Sequence, residues 1–216
     1  MKKSCLLAAA CLLSAASAHA QSIKFNLKAG ANLSNVAGDL VNQDQYRNRF
    51  GFHGGVMLNI GLLDKDFLSI QPEVLYSQKG YKYADQSFTL AGNTYRNSGN
   101  VRYDYFDVPV LLKLKTNGVF FEMGPQYSYL LNITSDVNRP LNGGVVSNYG
   151  ADAADLSKVN RHELGYVGGL GYQNSQGVRY NGAFTNFAKD GYSNNDFRNA
   201  RNSAFQAYVG FLLGGK

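Results

Sequence analysis

The 216-residue sequence has no tryptophan, two cysteines and three histidines. Both cysteines, Cys5 and Cys11, lie near the N-terminus, so a chain that has lost this end cannot form a disulfide or use a thiol in catalysis. Beyond this end, no apolar run reaches the roughly 18 residues that indicate a membrane-spanning helix. The few histidines leave little material for a catalytic triad or a metal centre. Thiol enzymes, disulfide scaffolds and helical membrane proteins are therefore disfavoured.

The N-terminus itself has the three parts of an export signal. Lys2 and Lys3 supply a positive start, and residues 6–13 form a short apolar core. An Ala-His-Ala triplet at residues 18–20 provides a cleavage site of the small-x-small type. This pattern predicts a cleaved signal peptide over residues 1–20.

Cleavage there would leave a single domain over residues 21–216, without a linker or a low-complexity tract. Of the 21 lysines and arginines, Lys2 and Lys3 would leave with the signal, so 19 basic residues remain against 15 acidic ones, a net charge of +4. This excess suits a surface near anionic lipid headgroups and does not indicate a nucleic-acid partner. A lipoprotein anchored at Cys11 is a lesser alternative, because cleavage there would consume the apolar core.

Apolar and polar residues alternate in eight short stretches of this domain. In residues 23–33, every odd position is apolar and every even position is polar or glycine. A strand places such apolar residues on one face, whereas a helix would scatter them. The predicted strands are 23–34, 50–62, 67–82, 101–115, 118–133, 162–173, 177–187 and 203–213. Together they predict a closed barrel that is apolar outside and polar inside, as in a lipid bilayer.

The connections between these stretches alternate in length, which is typical of an outer-membrane barrel. Tight turns are predicted at 64–66, 117–118 and 174–176. Long polar loops are predicted at 35–49, 83–100, 134–161 and 188–202. We therefore expect an all-β, eight-stranded, antiparallel up-and-down transmembrane β-barrel in a Gram-negative outer membrane. Its long loops, with 134–161 as the longest, would face outside the cell.

The outward faces of the predicted strands are aliphatic and aromatic. Ile133 ends the predicted outward face of the fifth strand. Aromatic residues gather near the strand ends, which predicts two belts at the headgroup level. The lower belt consists of Phe25, Phe121, Tyr172, Tyr180 and Phe211, and the upper belt of Phe52, Tyr76, Phe106, Tyr129, Tyr166 and Phe205.

The opposite faces carry charges of both signs. The residues predicted to form a structural charge network in the lumen are Glu73, Asp107, Lys113, Glu122 and Arg179. Side chains just fill a barrel of eight strands, and charges within it must find partners. A two-residue type I′ turn at Asn117-Gly118 would place Lys113 opposite Glu122. This register predicts a cross-strand ion pair between them.

Seven short segments, taken in order, carry a family resemblance. They are Gly-Ala-Asn-Leu-Ser at 30–34, Gly-Phe-His-Gly-Gly-Val at 51–56, the Gln-Pro-Glu segment within 70–80, Val-Pro-Val-Leu-Leu-Lys at 108–113, Gly-Pro-Gln at 124–126, Gly-Leu-Gly-Tyr at 169–172 and Arg-Tyr-Asn at 179–181. They resemble the PorT-like outer-membrane β-barrel proteins of Bacteroidetes over essentially the whole domain. The resemblance implies an eight-stranded outer-membrane barrel. It implies little about activity, although the family's namesake is needed for secretion of surface proteases.

No residue pattern predicts a catalytic, cofactor-binding or metal site. His53 beside Asp104 or Asp107 could form a base near the rim, but a lumen histidine is more often a hydrogen-bonding residue. The preferred hypothesis is a plugged structural or binding barrel that contacts outer-membrane lipid and displays polar loops, accessory to secretion or envelope integrity through a protein partner. The alternative is a small-solute transporter, and an outer-membrane enzyme comes third.

Overall fold

The computed structural model describes residues 23–40, 43–63, 67–90, 93–138, 155–173, 176–190, 192, 197 and 199–214. Their strands form one sheet. The strands are β1 (Ile23–Ala37), β2 (Tyr46–Gly61), β3 (Leu68–Leu90), β4 (Asn93–Thr116), β5 (Val119–Asn138), β6 (His162–Tyr172), β7 (Gln176–Ala183) and β8 (Arg201–Gly214). A short 3₁₀ turn, Gln43–Gln45, precedes β2.

Each strand pairs antiparallel with the next along the chain, and β8 pairs back with β1. The sheet is therefore a closed barrel, which confirms the predicted all-β, eight-stranded, up-and-down architecture. Closure pairs the outermost strands and so satisfies backbone groups that an open sheet would leave exposed. Within the described residues, no helix is long and apolar enough to cross a membrane.

The alternating sequence gives the barrel wall two chemically different faces. Along β4, Phe106, Val110 and Leu112 lie outside and are each more than 40% exposed. On the opposite face of the same strand, Asp107 and Lys113 point inward and are almost fully buried. The other strands repeat this separation, so apolar groups cover the outside and polar groups fill the lower lumen.

The turn between β4 and β5 has the predicted conformation. Asn117 has a φ of 46° and Gly118 a φ of 87°, as a type I′ turn requires. Thr116 pairs with Val119, and Lys113 pairs with Glu122. The turn residues therefore set the register of this hairpin as the sequence predicted.

The predicted loop 83–100 is wrong, because β3 and β4 continue through it as a hairpin. Pairing extends from Tyr83 opposite Gly99 to Leu90 opposite Asn93. The segment has no sustained apolar alternation in its sequence. The period-2 signal therefore ends before the strands do.

Ile133 faces the lumen, not the lipid as predicted, and is 7% exposed. The register between β4 and β5 shifts there, because Tyr105 pairs with Leu130 whereas Asp104 pairs with Asn132. The extra residue, Leu131, makes a β-bulge that inverts the inward and outward alternation above it.

Tyr180 also departs from prediction, since it belongs to the upper aromatic belt. It pairs with Phe205, and the two ring centroids are 5.1 Å apart. Tyr166 lies 6.1 Å from it on the other side. The predicted signal peptide, the turn at 64–66 and the middle of the predicted loop 134–161 lie outside the described residues.

Candidate functional site in the barrel lumen

The lower lumen holds a compact network of four charges from four different strands. Glu73 on β3 accepts hydrogen bonds from Lys28 Nζ and, at 2.9 Å, from Arg179 Nη1. Arg179 Nη1 also lies 4.0 Å from Glu122 Oε1, which accepts a 2.9 Å hydrogen bond from the Tyr208 hydroxyl. All four charged side chains are buried. Two cations and two carboxylates therefore compensate one another in the buried interior of the barrel.

Lys113 joins this network only indirectly, so the predicted Lys113–Glu122 ion pair is wrong. Its Nζ lies 3.4 Å from Gln71 Oε1 and 3.7 Å from the centre of the Phe120 ring. Gln71 Nε2 in turn donates to Glu73 at 2.6 Å and to Glu122 at 3.5 Å. The backbone register is as predicted, but Gln71 from β3 lies between the two charged groups.

A second charge cluster lies higher in the lumen, around Lys79. Lys79 Nζ is 3.1 Å from Asp107 Oδ1 and 3.6 Å from Glu163 Oε1. Glu163 also accepts hydrogen bonds from Asn202 Nδ2 and from the Tyr105 hydroxyl. This cluster has two carboxylates and one cation. The structure thus divides the predicted network, with Glu73, Glu122 and Arg179 below and Asp107 above.

His53 contacts Asn32 and neither of the carboxylates considered as its partners. Its Nδ1 is 2.6 Å from Asn32 Oδ1. Asp107 interacts with Lys79, and Asp104 accepts from the Tyr76 hydroxyl at 2.9 Å. Within the described residues there is also no cluster of histidine and carboxylate groups able to hold a metal ion. The role of His53 in this arrangement is to cross-link the wall.

Aromatic side chains fill the upper lumen and form what we call the aromatic cap. Its members are Tyr46, Tyr81, Tyr83, Tyr103, Phe187, Tyr192 and Phe197. Phe187 and Phe197 come from the connection between β7 and β8 and insert among strand residues. The Phe187 and Tyr103 ring centroids are 4.6 Å apart, and those of Phe197 and Tyr46 are 5.3 Å apart. The cap therefore attaches this connection to the inside of the wall.

Sequence reasoning missed the aromatic cap, although the signal was present. Tyr81 and Tyr103 lie an even number of residues from Lys79 and Asp107 on the same strands. They therefore share the inward face with these charges. The prediction of a polar lumen considered only the charged residues on this face. The upper lumen is instead filled by aromatic side chains, as the core of a soluble protein is.

Below the charge networks, a polar cavity of about 220 Å³ opens at the end of the barrel that carries the β4–β5 turn. We call it the lower vestibule. Its polar lining consists of Lys24, Asn26, Asn59, Ser69, Gln71, Lys113 and Gln173. From this vestibule upward, the charge networks and the aromatic cap occupy the lumen in layers.

An apolar outside, a closed eight-stranded sheet and a filled polar lumen define an outer-membrane β-barrel. The chain belongs to the family described as outer membrane protein beta-barrel domain, whose model matches residues 19–189. No curated protein matches the sequence.

Several solved structures are similar in shape. Neisserial surface protein A is 15% identical with a TM-score of 0.41, and the match covers 87% of this chain and 96% of that one. The attachment invasion locus protein Ail of Yersinia pestis is 10% identical with a TM-score of 0.40, covering 88% of this chain and 98% of that one. The N-terminal barrel domain of Pseudomonas aeruginosa OprF is 11% identical with a TM-score of 0.30, covering 85% and 97%.

Proposed function

We propose that the protein is a plugged outer-membrane barrel whose extracellular segments bind a protein partner of the cell envelope. The observation that carries this proposal is the filling of the lumen. Phe187 and Phe197 close the upper end, while Glu73 and Arg179 occupy the centre with their partners. A solute crossing the barrel would have to break these contacts, so the working surface is the outside end of the barrel.

The β3–β4 hairpin supports a role in recognition. From Gln86 opposite Asn97 to Leu90 opposite Asn93, its two strands pair with each other and with no other strand among the described residues. It therefore rises above the rest of the wall as a protruding element on a rigid base. Segments of this kind, together with the longer β5–β6 connection, are where binding residues are usually found.

The motif resemblance to PorT-like proteins directs the search for this partner. Machinery for the secretion of surface proteins is the first candidate, and proteins that maintain envelope integrity are the second. Neither role requires a cofactor or a catalytic group in the barrel.

Two variants test the recognition role in cells. Replacing residues 85–98 by Asn-Gly removes the hairpin, and deleting residues 139–154 shortens the β5–β6 connection. Both proteins should fold and remain heat-modifiable on gels, but at least one should lose the partner captured by cross-linking and mass spectrometry. Asn117→Asp, at the opposite end of the barrel, is the matched control and should keep it. Unchanged capture by both variants would contradict the proposal.

Conductance measurements separate this proposal from small-solute transport. The purified barrel in planar bilayers should show no steady ion conductance. A transporter would show reproducible conductance that changes when Glu122 is replaced by Gln, because that carboxylate lies in the path.

A further inference from the structure

Lys113 is a buried cation outside the balanced lower network. Lys113 is 3% exposed, and its Nζ contacts the amide oxygen of Gln71 and the ring of Phe120. Within the part of the chain that the structure describes, no carboxylate oxygen lies within ion-pair distance of it. Lys28 and Arg179 already compensate Glu73 and Glu122. Lys113 therefore adds one positive charge to the lower half of the lumen.

The carboxylate that would balance this charge lies in the upper cluster. There, Asp107 and Glu163 share the single cation Lys79. These eight buried groups are neutral as a set but divided, with one excess positive charge below and one excess negative charge above. A buried charge without a nearby counter-ion is costly, and an ion taken up from solvent relieves that cost.

The lower vestibule gives such an ion a place beside Lys113. Its volume of about 220 Å³ is several times the roughly 30 Å³ share of one water molecule. Lys24 and Lys113 both line it, and none of its described lining residues is acidic. Asn59 and Ser69 add hydrogen-bond donors to this lining. Asn59 lies opposite Lys24 on the neighbouring strand, and Ser69 lies opposite Lys113.

We propose that the lower vestibule binds a small oxyanion, with Lys113 as its buried cation and Asn59 and Ser69 as further donors. Phosphate and carboxylate groups share the required chemistry, a negative charge spread over oxygens that accept several hydrogen bonds. The site lies at the end of the barrel opposite the aromatic cap and is independent of the partner-binding role.

The test is a calorimetric titration of the folded mature chain in an uncharged detergent, at constant ionic strength set with sodium chloride. Sodium phosphate and sodium acetate are the first two probes. A short peptide with a free or an amidated C-terminus then distinguishes a peptide carboxylate from a free anion. At least one probe should bind saturably, and Lys113→Gln should weaken that binding at least tenfold. The outward, exposed Lys82 gives the matched control, Lys82→Gln, which should leave it unchanged.

A second variant keeps the proposal testable if Lys113→Gln does not fold. Ser69→Asp places a carboxylate directly across the strand pair from Lys113, so it should occupy the site from within. It should abolish binding of the same probe and raise the unfolding midpoint. No saturable binding of any probe by the unmodified chain would overturn the proposal. Binding by the Ser69→Asp or Lys113→Gln variant as tight as that of the unmodified chain would overturn it too.

Discussion

At the scale of single residues, the lumen depends on side chains that each serve several partners. Glu73 accepts hydrogen bonds from Lys28, Gln71 and Arg179, and so joins three strands of the wall. Gln71 bridges Lys113 to two carboxylates. Because each group has several partners, removing one leaves more than one other group without compensation.

Double-mutant cycles should separate the direct pair from the indirect one. The coupling between Lys28→Met and Glu73→Leu should be about 1–3 kcal/mol, since either change alone leaves a buried charge. The coupling between Lys113→Met and Glu122→Leu should be less than half as large, because Gln71 separates the two groups. Urea unfolding, followed by the heat-modifiable gel band, measures all of these. Equal coupling for the two pairs would contradict this account.

The residue scale also shows where sequence reasoning ends. Turn chemistry at Asn117-Gly118 was sufficient to place Lys113 opposite Glu122, because a two-residue turn determines the register of its hairpin. It was insufficient to predict their contact, because Gln71 comes from a third strand. A pairwise pattern has no information about a side chain that enters from another part of the wall.

At the scale of elements, the connection between β7 and β8 acts as part of the wall. Phe187 and Phe197 are buried in the cap, and Val159 forms an isolated bridge with Ala188. Two separate connections therefore meet at the upper end of the barrel. Residues 134–161 and 188–202 are polar on average, so they were predicted as loops. The predicted strand 177–187 was too long at its end, because β7 ends at Ala183 and Phe187 belongs to the connection that enters the cap.

Removing one anchor should release this connection. Phe187→Ala should lower the free energy of unfolding by about 3–5 kcal/mol, as expected for a buried aromatic side chain. It should also expose the β7–β8 connection to limited proteolysis in detergent. Phe184 is the matched control, because it is 62% exposed on the outer surface and only three residues away. If Phe184→Ala gives the same loss and the same cleavage, the cap does not hold the connection.

The element boundaries were predictable only where one face meets lipid. There the strands alternate strictly, and the predicted cores of all eight strands lie within or next to those observed. Above the membrane, the β3–β4 hairpin and the β5 bulge escaped prediction, because neither leaves a regular period in the sequence. Tyr180 was assigned to the wrong belt for a different reason, because alternation gives the face of a side chain but not its height in the wall.

At the scale of the whole molecule, the two ends of the barrel differ and should face opposite sides of the membrane. The type I′ turn at Asn117 should face the periplasm, and the β3–β4 hairpin and the β5–β6 connection should face outside. Cysteine substitution is straightforward, because the only cysteines lie within the predicted signal peptide. An impermeant thiol reagent on intact cells should label Asn148→Cys and leave Asn117→Cys unlabelled until the cells are broken. The reverse result would invert this orientation.

The hydrogen bonds of β8 have a consequence for biogenesis. This strand follows the other seven along the chain, and Asn202, Gln206 and Tyr208 donate from it to Glu163, Asn32 and Glu122, respectively. A nascent barrel that lacks it would carry acceptors of both charge clusters without these donors. We therefore expect the seam between β1 and β8 to close and the lumen to lose its water in one cooperative step, so a chain truncated before β8 should not form a stable barrel.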